Sequence, residues 1–182
     1  MQNNFKELPL EKHYHVINYG PCVIVTSGDG SRANAAPIAW VMPVNDEPAL
    51  VAIAVADGHY TAELIKKTGE FVINVPDEKM LAALTGCGKV SGRNEDKIKK
   101  FNLALGGGKK VGVPHLEDSI GYLECRVKDA HPYDGVILFV ATVQLAAVRP
   151  DLYDGCIIPE KAKAVHHLGG SWFALTTKRF KA

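Results

Sequence analysis

At 182 residues the chain is long enough to bury a core without disulfide or metal staples, and it reads as a single domain over residues 1–182. Apolar residues make up 47% and charged residues 23%, ordinary proportions for a globular protein that exclude a disordered or fibrous chain. The formal net charge of +1 gives no reason to expect a nucleic-acid partner.

The start, Met-Gln-Asn-Asn-Phe-Lys-Glu-Leu-Pro9, lacks the apolar run of a signal peptide. The most apolar stretch, residues 136–148, is interrupted by Gln144 and too short to cross a bilayer, so no membrane partner is expected. Cys22, Cys87, Cys125 and Cys156 form no C-x-x-C pair, and Cys22 and Cys125 sit in strand-like runs where a reduced thiol packs as a small hydrophobe. A reducing cytoplasm is the expected compartment.

In chain order the dominant signal is β. Residues 19–26 read as a strand, and Ser27-Gly-Asp-Gly-Ser31 as a tight polar connection. Residues 33–42 return as a second strand and residues 49–56 make a third. Thr61 is expected to cap a short helix through Lys67, ended by Gly69, and residues 71–75 form the next strand. Asp77 is placed as the cap of a second helix stopping near Gly86, and Asn94 as the cap of a third, short one containing Ile98 and Phe101.

The Gly-rich residues 105–114 must be loop. In the long strand that follows, Leu123, Cys125 and Val127 alternate with Glu124, Arg126 and Lys128, so the charged face is expected to meet water. His131-Pro-Tyr-Asp-Gly135 is the hairpin turn, and residues 136–145 form a partner strand apolar on both faces, which calls for cover from helices or a second subunit. Together these signals describe a mainly β chain, a closed or nearly closed antiparallel barrel with short helices.

Several motifs fail. Gly86-Cys-Gly-Lys-Val-Ser-Gly92 has glycine spacing one residue too long for a dinucleotide loop and follows a helix rather than a strand. His13-Tyr-His15 and His166-His167 lack a carboxylate or Cys at ligand spacing, so no metal is expected. Lys97-Ile-Lys-Lys100 and Lys109-Lys110 read as solvated surface. No nucleophile stands beside a base, so no catalytic side chain is assigned, and the chemistry is expected to come from a cofactor.

Three segments suit a phosphorylated planar ligand. In Asn34-Ala-Ala-Pro-Ile-Ala-Trp40, Pro37 removes a ladder donor, which marks an edge or bulged strand whose backbone could pair with a heterocycle. At His59-Tyr60-Thr61 a strand feeds a helix start, where free N–H groups favour an anion. Ser91-Gly-Arg-Asn-Glu-Asp-Lys97 is a polar loop in which Ser91 and Arg93 are natural phosphate donors. Taken singly, the first segment reads as well as a bulged edge strand, and the other two read better as an ordinary capped turn and a solvated capping loop.

In this order the segments, with Gly-Glu-Phe-Val-Ile-Asn-Val-Pro76 between the last two, resemble the flavin reductase-like, FMN-binding split-barrel family, and within it the flavoredoxin-type proteins. The likeness is carried by residues 19–97. It implies a six-stranded antiparallel Greek-key split β-barrel that forms a homodimer and binds FMN near the subunit interface. By that resemblance Asn34, Pro37, Ile38, Ala39 and Trp40 line the flavin. His59, Tyr60 and Thr61 surround the ribityl phosphate with Ser91, Gly92 and Arg93, and Asn74 faces the same pocket.

The implied activity is FMN-dependent oxidoreduction, with NADH or NADPH as donor and an unnamed acceptor. Two alternatives stay open: an FMN electron carrier reduced by a partner protein, and a flavin reductase that releases reduced flavin to a monooxygenase. Pyridoxamine-phosphate oxidase barrels are a weaker relative.

Overall fold

Seven strands make one antiparallel sheet in the order β2-β1-β5-β8-β9-β4-β3. They are β1 (Val23–Gly28), β2 (Ala33–Ile38), β3 (Val41–Asn45), β4 (Leu50–Ala56), β5 (Glu70–Val75), β8 (Gly121–Tyr133) and β9 (Val136–Val148). The structure, a computed structural model, describes residues 5–181. The two edge strands, β2 and β3, are consecutive in the chain, with only Ala39 and Trp40 between them. The sheet must therefore curl until its edges approach, which produces the split barrel. Pro37 lies on the edge strand β2, as a residue without an N–H requires.

The barrel interior follows the two-residue period of the strands. Val23, Val25, Phe71, Ile73, Ile137 and Phe139 point inward, and Ala62 and Ile65 of α1 (Tyr60–Thr68) plug one end. At the other end of α1, Gly69 stops the helix in the left-handed region (φ 69°), and its N–H donates to the Ile65 carbonyl at 2.8 Å. A second apolar layer lies outside β1 and β2. There Cys22, Ile24 and Ala35 are covered by Met80, Leu84 and Cys87 around α2 (Leu81–Lys89), and by Ile98 and Phe101 around α3 (Lys97–Lys100).

Two short pairs complete the fold: β6 (Leu105–Gly106) with β7 (His115–Leu116), and β10 (Val165–Gly169) with β11 (Trp172–Leu175). The Gly-rich segment is thus loop with a strand residue pair at its start.

Several boundaries differ from the sequence expectations, each for a local reason. Residues 33–42 form two strands rather than one, because the chain passes from one edge of the sheet to the other at Ala39 and Trp40. Asp77 caps a single 3-10 turn, accepting from the Lys79 N–H at 2.8 Å, and that turn runs directly into α2. That helix continues past Gly86 to Lys89. Asp96, not Asn94, caps α3, accepting from the Lys99 N–H at 3.1 Å. β8 extends through Tyr133, so the hairpin turn is only Asp134-Gly135.

The largest departure is Glu124, expected in water and completely buried. The Gly-rich loop folds over this face of β8, and the Glu124 carboxylate accepts from the backbone N–H groups of Lys109, Lys110 and Val111. Neighbouring Glu70 accepts from Gly112 N–H at 2.8 Å and from Arg126 at 2.9 Å, fastening the far end of the loop. A buried carboxylate with three donors satisfies what would otherwise be an expensive burial.

Candidate functional site

A cleft of about 350 Å³ opens where β2, the start of α1 and the segment from the end of α2 to α3 meet. The strand supplies Ala36, Pro37 and Ile38. The helix start supplies Gly58, His59, Tyr60 and Thr61, and the third side carries Cys87 through Arg93, with Lys97 beyond.

α1 is not capped as the sequence suggested. Its N-cap is His59, which makes no side-chain capping bond, and Thr61 lies inside the first turn. The first helical hydrogen bond runs from the Glu63 N–H to the His59 carbonyl at 3.2 Å. The N–H groups of Tyr60, Thr61 and Ala62 precede it and have no acceptor within the helix, as at any helix start. Thr61 is held instead by its hydroxyl, which accepts from Asn34 Nδ2 at 3.0 Å. Asn34 also donates to the Ser27 hydroxyl at 3.3 Å, so β1, β2 and α1 are joined by one buried amide. Among the described residues its buried carbonyl oxygen has no hydrogen-bond partner, and it lies against Gly92, leaving no room for a Cβ there.

Arg93 spans the mouth of the cleft. It donates to Gly58 O at 3.0 Å, pairs with Glu63 at 2.6 Å and stands over the Tyr60 ring at 5.7 Å. Its charge is therefore already answered by a carboxylate. Lys97 is different. It is 6% exposed, and its ammonium donates to the carbonyls of Ala35 (3.0 Å) and Cys87 (2.8 Å). Burial pushes its pKa down, opposed by the nearby Cys87. Burial in turn pushes the Cys87 thiol up to about 11, opposed by Lys97, so this Cys is protonated and unreactive at neutral pH.

Of the residues singled out in the sequence, Pro37, Ile38, His59, Tyr60, Thr61, Ser91, Gly92 and Arg93 converge on the cleft, and Asn34 braces it from behind. Three lie elsewhere. Trp40 borders a neighbouring hollow with Tyr14, Met42 and Leu138, and Ala39 lies between that hollow and a cavity that shares Pro37, Gly88 and Lys89 with the cleft. Asn74 is wholly buried within the sheet. It donates to Ile24 O at 2.9 Å and accepts from Leu116 N–H at 2.7 Å, so it joins strands rather than lining the cleft.

Residues 18–163 match the family described as flavin reductase like domain. The chain belongs to that family. Its relatives include the uncharacterized protein YddH of Escherichia coli (strain K12), 34% identical over 186 aligned residues, spanning 96% of this chain and 97% of that protein. An uncharacterized protein of Pyrococcus abyssi is 33% identical over 72% of this chain and 76% of its own length. The fold is shared with an FMN-binding protein from Thermus thermophilus solved with bound 1-cyclohex-2-enone (TM-score 0.85, 22% identity, 100% of this chain and 99% of that one). It is also shared with the flavoredoxin of Desulfovibrio vulgaris (Miyazaki F) (TM-score 0.83, 19% identity, 100% and 96%).

Cys87, Gly88, Lys89, Val90 and Lys97 belong to the cleft but were missed by sequence reasoning, which took the Lys97 run as solvated. One signal was available. Lys97 stands four residues before Phe101 and so shares its inward face on α3.

Proposed function

We propose that the protein is an FMN-binding flavoprotein oxidoreductase whose cofactor occupies this cleft. The observation that carries the reading is the start of α1: three helix-start N–H groups, no capping side chain, and two cations, Arg93 and Lys97, on the opposite wall. Such an arrangement suits a phosphate monoester. The hydroxyls of Thr61 and Ser91 add donors, while Pro37 and Ile38 offer a strand edge to the planar ring. Family membership and the FMN-binding fold neighbours support the same reading.

Bound FMN would supply two-electron chemistry at N5, with NADH or NADPH as the proposed donor. The chain's own part is to bind, orient and shield. Arg93, tied to Gly58 and Glu63, fixes the loop over the helix start, and Asn34 fixes Thr61. With the Cys87 thiol protonated, the cleft offers no thiolate to compete with cofactor chemistry. The acceptor is proposed to be a small molecule or a redox partner protein.

The proposal includes a homodimer. On the outer face of β9, Val136, Leu138 and Val140 are only half-buried, and Trp40, Met42 and Val44 nearby are exposed. An apolar face of this kind is suited to cover by a second copy. Sedimentation of the FMN-loaded protein at micromolar concentration should give twice the 19.7 kDa chain mass, and a monomer would refute this part.

The functional test is direct. The purified protein, supplied with FMN, should retain it through gel filtration with a flavin absorbance spectrum. Anaerobic NADH or NADPH should then bleach that spectrum. Retention without bleaching by either nucleotide would point to the carrier alternative. Release of reduced flavin on bleaching would point to the reductase that feeds a monooxygenase.

A further inference from the structure

Three buried side-chain polar atoms lack a hydrogen-bond partner among the described residues, and two of them belong to one cavity outside the cleft. Ser119 and His115, which carry the unpartnered Oγ and Nδ1, line a space of about 230 Å³ between the β7–β8 connection and the end of β9. That space shares no lining residue with the cleft. Ser119 is 3% exposed and sits beside the buried Leu116 and Ile120, so an unanswered hydroxyl there is costly. His115 is held in place. Its ring stacks on Tyr122 at 4.0 Å with 9° between the planes, and its Nε2 lies against Gly106, where no Cβ would fit.

Two charged residues complete the wall. Arg149 is exposed, and Asp151, its one ion-pair neighbour, stands 3.8 Å away, beyond hydrogen-bond distance. Glu117 is exposed and, among the described residues, its carboxylate has neither an ion pair nor a hydrogen bond. The two line the same cavity without pairing with each other. A cation, an anion, a hydroxyl and an imidazole nitrogen thus surround one space whose remaining wall includes Leu116, Ile120 and Val148.

We infer that this cavity is a second ligand site, for a free α-amino acid with a small apolar side chain. The carboxylate accepts from Arg149 and from the Ser119 O–H. The ammonium donates to Glu117 and to His115 Nδ1, whose ring then carries its proton on Nε2. Leu116, Ile120 and Val148 receive the side chain. At the roughly 30 Å³ that a water molecule takes in the liquid, the cavity holds about eight non-hydrogen atoms, the size of valine. Charge-assisted bonds at both ends make the pair of charges, rather than either alone, the recognised feature. The assignment is independent of the FMN reading.

The test adds L-alanine and L-valine to the purified wild-type chain and to Ser119→Ala, Arg149→Met and Glu117→Gln, with binding read by calorimetry and by melting temperature. Each amino acid is run beside its amine-free acid and its carboxylate-free amine. At tenfold above its Kd, at least one amino acid should raise the wild-type melting temperature by about 3 °C or more. The acid and the amine should bind at least about tenfold more weakly, as should the amino acid to each variant. Without ligand, Ser119→Ala should be at least as stable as wild type, because it removes a hydroxyl that has no partner.

Indifference of wild type to both amino acids refutes the site, and a Ser119→Ala chain less stable than wild type would then assign the cavity to ordered water. An amine-free acid that binds as well as the amino acid makes this a plain anion site and overturns the assignment. Variants that keep wild-type affinity overturn it too. Arg149 and Glu117 are exposed, so their variants fold and carry the test even if Ser119→Ala does not.

Discussion

Asn34 Nδ2 and Thr61 Oγ1 lie 3.0 Å apart, a buried hydrogen bond between the edge strand β2 and the first turn of α1. The bond fixes where the helix-start N–H groups point relative to the strand edge. Asn34→Ala should remove it together with the bond to Ser27, destabilising the fold by roughly 1–3 kcal/mol. Urea unfolding of Asn34→Ala, Thr61→Val and the double variant should show coupling of about 0.5–1.5 kcal/mol between the two sites. Strictly additive losses would mean that the contact contributes nothing of its own.

Gly92 leaves no room for a side chain in the cleft wall. A Cβ there would collide with the Asn34 carbonyl oxygen and come within 2.9 Å of the Tyr60 ring. Gly92→Ala should therefore push the 91–93 loop from the helix start and cost FMN at least about tenfold in affinity, or about 1.4 kcal/mol. Fluorescence titration of the folded variant checks this, and wild-type affinity would show that the loop yields freely.

Glu124 should behave as a structural carboxylate. In Glu124→Gln an amide NH₂ replaces one of the two oxygens facing the Lys109, Lys110 and Val111 N–H groups. The expected loss is roughly 1–3 kcal/mol in urea unfolding, with faster amide exchange in the Gly-rich loop. Flavin affinity should stay near wild type, since Glu124 does not border the cleft.

These residues show what the sequence could carry. Strand order of appearance and the edge-or-bulge position of Pro37 were legible, because they depend on local period and on backbone donors, whereas the meeting of His59-Tyr60-Thr61 with Ser91-Gly92-Arg93 was implied by the family resemblance. Glu124 and Lys97 were not legible, because each was read as a charge on an alternating or Lys-rich run. Their burial depends on segments distant in the chain: the Gly-rich loop for one, β2 and α2 for the other. Asn74 and Trp40 lie outside the cleft for a related reason. A position on the right strand does not say which face or which side of the sheet crossing a side chain occupies.

The cysteines give a pH prediction. Burial raises Cys22 to about 11, Cys87 to about 11 and Cys125 to about 12, against an ordinary value of 9.0, while Cys156 is exposed. The folded state thus holds these thiol protons more tightly than the unfolded chain does. Their contribution is complete below pH 9 and is lost as pH rises from about 9 towards 11 to 12. The urea midpoint should fall across that window, and less steeply in Cys125→Ala. At pH 8 a thiol reagent should label one Cys quickly in the native protein and four after unfolding.

The most direct measurement is a map of backbone amide shifts as FMN is added to ¹⁵N-labelled protein, with riboflavin as the comparison. Phosphate seated at the start of α1 should move the amides of Tyr60, Thr61, Ala62 and Gly92 with FMN and leave them largely unmoved with riboflavin, while Ile38 responds to both. Shifts confined to another surface, or identical shifts at the helix start with both flavins, would contradict the placement of the cofactor phosphate in this cleft.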